Sequence, residues 1–195
     1  SSDLASAQGL IAAINASLRV KGTDEFTLGR DQSYIGVLIN DLITKGVNEP
    51  YRMFTSRAEF RILLRQDNAD ERLTPLGYKL GLATEQRMKL TSQKYEKIRR
   101  YINFCDANSF TPNEVNPFLE RLNSSPLLQK TRISKIIVRP EVSIKDLNSL
   151  ISFDECMNST ELESVDIKLK YEGYIEKEQA NADKIKKFSE LNIPE

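Results

Sequence analysis

The sequence predicts an all-α protein, on three observations. Apolar residues recur at three- and four-residue spacing through most long segments, and those segments open on Ser, Thr or Asp and close on Gly or Pro. In the shorter segments helix signals outweigh strand signals, and there is no internal repeat or low-complexity tract. With 195 residues, 39% hydrophobic and 29% charged, the chain has the composition of a soluble globular protein holding one domain, or one domain and part of another.

The first element is "DLASAQGLIAAINASLRVKG", with Asp3 as N-cap, Leu4, Ala7, Leu10, Ile11, Ile14 and Leu18 at helical spacing, and Gly22 as the stop. After the turn "TDEFTLGRDQ", a second helix runs from a Ser33 cap to Gly46 with Ile35, Leu38, Ile39, Leu42 and Ile43 as its apolar face. "VNEP" ends it. The chain is then expected extended at Met53 to Thr55, followed by a helix capped by Ser56 with Glu59 three residues on. On that helix Arg57, Arg61 and Arg65 form one stripe while Phe60, Leu63 and Leu64 take another face.

"DNAD" reads as a break, and "LTPLGYKLGLAT" as a short helix with Thr74 as cap, Pro75 at the first position and Gly81 as terminator. A long helix is predicted from Thr84 to about Ala107, carrying Met88, Tyr95, Ile98, Ile102 and Cys105 and decorated by Lys94, Lys97, Arg99 and Arg100. Short capped pieces follow in "TPNEVNPFLERLNSS", "QKTRISKIIVRP" and "VSIKDLNSLI". The last helix is expected from about Thr160 to Leu191, where Gly173 costs about 1 kcal/mol against Ala and so marks either close packing or a split.

Composition excludes several chemistries. The apolar runs are far short of a membrane span, and the start has no basic region followed by an apolar core. Histidine is absent, which removes a Ser-His-Asp or Cys-His pair and any histidine-based zinc site within the chain. The two cysteines, Cys105 and Cys156, lie far apart and outside any C-x-x-C pattern; they read as buried, reduced thiols of a cytosolic protein rather than a disulfide or a nucleophile. No metal site and no catalytic residue is assigned.

One local feature asks for an explanation. "YRMFTSRAEFRILLRQDNADERL" holds Arg52, Arg57, Arg61, Arg65 and Arg72, although the chain balances 28 basic against 28 acidic residues. Glu59, Asp67, Asp70 and Glu71 are near enough for surface ion pairs. The rival reading is an anion site, since guanidinium forks match phosphate and a spaced row of them can follow a nucleic-acid backbone. Tyr51, Phe54, Phe60 and Tyr78 are possible base-stacking partners, Phe60 being better suited to the core. Spacing leaves both readings open.

The wording of the segments goes further. "YIGVLINDLITKGVNEPYRMFTSRAEFRILLRQDNADERLTPLGYKLGL" closely resembles the tRNA uridine 5-carboxymethylaminomethyl modification enzymes, the MnmG or GidA family. "ASAQGLIAAINA" resembles the end of that family's FAD-binding domain, and "KYEGYIEKEQ" a signature near its C-terminus. The resemblance implies a flavoenzyme with FAD in a Rossmann-type domain, a folate as methylene donor and NAD(P)H as reductant. It implies modification of the wobble uridine of tRNA together with the GTPase MnmE, a homodimeric full-length protein and a cytoplasmic location.

On this reading residues 1–46 are a C-terminal remnant of the FAD-binding domain and residues 47–195 a helical C-terminal domain lacking its last subdomain. The G-x-G-x-x-G fingerprint is absent, so the chain is not expected to turn over by itself. Gln8 is then either a flavin contact or an ordinary polar helix residue. Arg52, Arg57, Arg61, Arg65 and Arg72 become tRNA phosphate contacts, with Arg65 expected to project freely beside "DNAD" and Lys94, Lys97, Arg99 and Arg100 as a secondary basic surface. The alternative is a protein-interaction module, for MnmE or a second copy, with no RNA contact.

Overall fold

The computed structural model describes residues 2–46 and 48–189. It is 62% helix and 2% strand, the all-α architecture expected. In chain order the elements are α1 (Ser2–Val20), α2 (Tyr34–Thr44), a 3-10 turn (Thr55–Arg57), α3 (Ala69–Lys79), α4 (Glu85–Ala107), β1 (Ser109–Phe110), α5 (Pro112–Arg121), β2 (Thr131–Arg132), α6 (Ile133–Ile137), α7 (Ile144–Leu147) and α8 (Ser159–Ser189). The described residues form two compact units, one of those up to Leu82 together with those from Tyr174 onward, the other of residues 83–173.

The second unit is built around one apolar core. Thr84 caps α4 by accepting from the Arg87 N–H at 3.2 Å, and the helix then buries Tyr95, Ile98, Tyr101 and Cys105 on a single face. Against that face lie Val115 and Leu119 of α5, Ile136 and Ile137 of α6, Ile144 and Leu147 of α7, and Val165 of α8, all of them inaccessible to solvent. Each such side chain contributes about 1.5–3 kcal/mol by leaving water. Asn158 starts α8 by accepting from Glu161 N at 2.9 Å, while its own N–H donates to the Glu161 carboxylate at 2.8 Å. The two-residue strands β1 and β2 pair antiparallel, Ser109 opposite Arg132, a ladder too short to leave an alternating pattern in the sequence.

In the first unit α1 ends as predicted, with Gly22 at φ 67° and Thr23 N donating back to Leu18 O at 3.1 Å. Asp3 lies inside the first turn rather than at the cap. Asn15 ties the following segment to α1 through two hydrogen bonds to the Phe26 backbone, at 2.9 and 2.7 Å. Ser33 caps α2, accepting from Gly36 N at 2.9 Å. Only glycine fits at position 36: a Cβ there would collide with the carbonyls of Leu28 and Gly29, which cross the first turn of α2. The buried face of α2 is Val37, Leu38 and Asp41, offset from the predicted one, and Ile43 is 76% exposed.

Three expectations fail here. The helix predicted from Ser56 does not form; a 3-10 turn gives way to extended backbone at Ala58 and then to irregular turns. Its apolar residues serve two separate clusters, Ala58 and Leu64 with Val37 and Met53, and Phe60 and Leu63 with Ala182, Ile62 and Ile175. One helix face cannot supply both. "DNAD" is a break only in its first half: Asp67 and Asn68 lie in a turn, but Ala69 and Asp70 already start α3, where Asp70 and Glu71 complement the positive end of the helix dipole. Thr74 and Pro75 therefore lie inside that helix, while Gly81 at φ 76° terminates it as expected.

Gly173 neither splits α8 nor marks close packing, for a Cβ there would meet nothing within 4 Å. The predicted last residues of that helix, Glu190 and Leu191, lie outside the described residues.

Candidate nucleic-acid interface

The arginine-rich segment is organised by a buried carboxylate. Asp41 is 1% exposed on α2 and accepts from Arg30 Nη1 at 2.7 Å, Lys45 Nζ at 3.0 Å and the Tyr51 hydroxyl at 2.8 Å, with Arg57 Nη1 at 3.6 Å. A buried charge must be matched this way to be tolerated. Burial works against the ionised form, but the hydrogen bonds from Arg30, Lys45 and Tyr51 outweigh it and hold the Asp41 carboxyl well below the usual carboxylate range.

Arg30 is the second centre. It grips Glu59 with two parallel bonds, Nε to Oε1 at 2.6 Å and Nη2 to Oε2 at 2.7 Å, and donates to the Arg57 carbonyl at 2.9 Å. The hydrogen bond from Arg30 lowers the Glu59 carboxyl, while Glu59 raises the Arg30 guanidinium. This explains the missing helix. The Arg57 carbonyl that Arg61 N–H would need, and the Glu59 side chain that Ser56 would need, are both engaged by Arg30.

Two of the arginines have a similar structural task. Arg65 does not project freely: it pairs with Asp67 at 3.0 Å and donates to the Ile62 carbonyl at 2.6 Å. Arg72, on α3, bonds Asn68 Oδ1 at 2.9 Å, the Arg65 carbonyl at 3.2 Å and the Gln32 carbonyl. Their guanidinium forks satisfy carbonyls that a helix would have satisfied internally. The predicted single stripe is thereby broken up.

The other three are placed differently. Arg57 lies over the Tyr51 ring, 4.8 Å from its centroid, and is half-buried. Arg52 and Arg61 are exposed and have no partner among the described residues. Arg52, Arg57, Tyr51 and the exposed Phe54 line one cleft of about 560 Å³ together with Glu49 and Asn48. Tyr78 is exposed elsewhere on α3, and Phe60 is core, 5% exposed.

Outside this region the expected secondary basic surface is largely committed. Lys97 pairs with Glu161 at 2.6 Å and bonds the Cys156 carbonyl at 3.0 Å, and Arg100 pairs with Glu155 at 2.9 Å. Cys105 is buried, with burial pushing its thiol up to about 12. Cys156 is exposed, contrary to expectation. Gln8 is exposed on α1. One amide on an open helix does not form a dinucleotide cradle, so the residues present do not amount to a flavin site. Spacing missed Arg30, Asp41 and Glu59 as the organisers. The available signal was Asp41 itself, an acid three and four residues from Leu38 and Val37 on an apolar helix face.

The helical fold is the class into which the comparisons fall. Residues 85–179 match the model of the tRNA modifying enzyme MnmG/GidA C-terminal helical domain. The chain is 48% identical over 195 residues to the tRNA uridine 5-carboxymethylaminomethyl modification enzyme MnmG of Christiangramia forsetii, covering 97% of this chain and 31% of that one. It is 47% identical to the same enzyme of Flavobacterium psychrophilum, over 98% of this chain and 32% of that one. A crystal structure of Aquifex aeolicus GidA superposes with a TM-score of 0.81 at 36% identity, covering 98% of this chain and 30% of that one. The chain belongs to the MnmG/GidA family and corresponds to its C-terminal region. It spans about a third of the length of these curated relatives.

Proposed function

We propose that this chain is the tRNA-binding part of an FAD-dependent enzyme that, with MnmE, installs the carboxymethylaminomethyl group at C5 of the wobble uridine in the cytoplasm. The observation that carries this reading is the cleft where Arg57, fixed on Tyr51 by Asp41, stands beside the exposed Phe54 and beside Arg52, which has no partner among the described residues. Arg52, Arg57 and Arg61 make the phosphate contacts; Arg65 and Arg72 brace the irregular backbone that presents them. Residues 1–46 complete the flavin-binding domain and residues 47–195 form the helical domain. Gln8 is one contact to a flavin held by residues outside this chain, and NAD(P)H and a folate act there too.

A second reading is a module for MnmE docking or homodimerisation. It is favoured by exposed apolar side chains along the end of α8, where Tyr174 is 66%, Ile185 56% and Phe188 71% accessible.

Anisotropy of a labelled anticodon stem-loop over a salt series separates the two. RNA binding through phosphates weakens steeply with salt, and Arg52→Ala or Arg61→Ala each lowers the affinity and removes about one unit of the salt slope. Binding that is absent, or that is indifferent to both substitutions, leaves the interaction module as the function.

A further inference from the structure

We infer that the cleft beside Arg57 receives a single unstacked nucleotide of the RNA, with its base on Phe54, its phosphate on Arg52 and the base edge read by Glu49 in favour of guanine. This rests on the RNA-binding reading above and specifies what it binds. The cleft volume of about 560 Å³ lies inside the range of roughly 300–1,000 Å³ typical of small-ligand sites.

Its lining is divided by task. Tyr51 is already used, its ring covered by Arg57 at 4.8 Å and its hydroxyl donated to Asp41 at 2.8 Å. Phe54 is not: it is 52% exposed and lines the same cleft, an aromatic face left for stacking. Arg52 and Glu49 both line the cleft, and neither has a partner among the described residues, so a cation and an anion stand in one cleft without pairing to each other.

A ligand that satisfies both must carry an anionic group and a donor edge. A nucleotide does, through its phosphate and its base. Among the bases, guanine presents adjacent N1–H and 2-amino donors, which a carboxylate can accept with both oxygens; the others offer fewer adjacent donors on that edge. The wall is preset before the ligand arrives, because Asp41 is fixed by Arg30 at 2.7 Å and in turn fixes Tyr51.

The test uses a stem-loop RNA with one unpaired guanine in the loop, and the same RNA with inosine there, which lacks the 2-amino group. The parent chain is expected to bind the guanine loop about tenfold more tightly than the inosine loop. Glu49→Gln equalises the two. Phe54→Ala weakens binding about tenfold with the salt slope unchanged, and Phe54→Tyr restores it. Both positions are exposed, so circular dichroism of the variants should match the parent. If the RNA binds with the salt slope expected of Arg52 but guanine and inosine are equal and Phe54→Ala is silent, the nucleotide site is refuted and the phosphate reading stands. If no RNA binds, both fall.

Discussion

The two compact units are held together by different physics. Residues 83–173 enclose a continuous apolar core in which α4, α5, α6, α7 and the start of α8 each contribute fully buried side chains. In the other unit the buried apolar residues fall into small clusters around Val37 and Phe60, and the segment between them is fixed by guanidinium groups bonded to carboxylates and backbone carbonyls. Burial is non-directional and forgiving of detail, whereas a charge network is directional and fails when one member is removed. The second arrangement suits a binding surface, since it holds cationic side chains in fixed positions without burying all of them.

The largest expected effect lies in the apolar unit. Ile136 is inaccessible to solvent, and Ile136→Ala removes its packing and leaves a cavity in the core that α6 shares with α4. A loss of about 2–5 kcal/mol is expected, read by urea denaturation followed by circular dichroism. A cost below about 1 kcal/mol would mean that this core is loosely packed and that the contrast between the units is overstated.

A smaller but pH-dependent effect is expected in the charged unit. Asp41→Asn keeps the shape and removes the charge that Arg30, Lys45 and Arg57 share. Breaking a fully buried pair costs about 3–5 kcal/mol, and because Arg30 is 21% exposed and keeps Glu59, about 2 kcal/mol is the discounted expectation. The sign follows from the direction of the shift. Asp41 is more acidic folded than unfolded, so its contribution is fully present above its unfolded value of about 3.9 and fades as the pH falls below that. The stability gap between parent and variant should stay constant from about pH 8 to pH 5 and close below about pH 4. A gap that closes between pH 5 and 8 would place the dependence on another group.

This contrast also explains what could be read from the sequence. The span of α4 from Thr84 onward, the cap at Ser33, the stops at Gly22 and Gly81 and the burial of Tyr95, Ile98 and Cys105 all follow from local spacing and end signals. The segment from Ser56 to Asn68 carried equally good local signals and still did not become a helix. Its carbonyls are taken by Arg30, Arg65, Asn68 and Arg72, and Arg30 lies 27 residues from the carbonyl it occupies, so no local window contains all of these partners. For the same reason the arginines could be recognised as a group but not sorted. Which brace the backbone and which face solvent depends on partners such as Asp41 and Gln32 that lie far off in the chain.

The smallest expected effect tests whether charge pairing matters by burial rather than by geometry. Arg100 and Glu155 make two well-formed bonds, at 2.9 and 3.0 Å, yet the side chains are 55% and 41% exposed. Lys97 and Glu161 make one contact at 2.6 Å with side chains 20% and 7% exposed, and Glu161 also caps α8 through Asn158. Water competes for the first pair and is largely excluded from the second. Glu155→Gln should therefore change stability by no more than about 0.5 kcal/mol, and that little should vanish in high salt. Glu161→Gln should cost about 1–2 kcal/mol and keep most of that cost in salt, because the partly buried Lys97 loses its charged partner, while a Gln oxygen can still accept from the Asn158 N–H. Equal costs for the two would mean that pairing geometry, and not exclusion of water, sets the value of an ion pair in this chain.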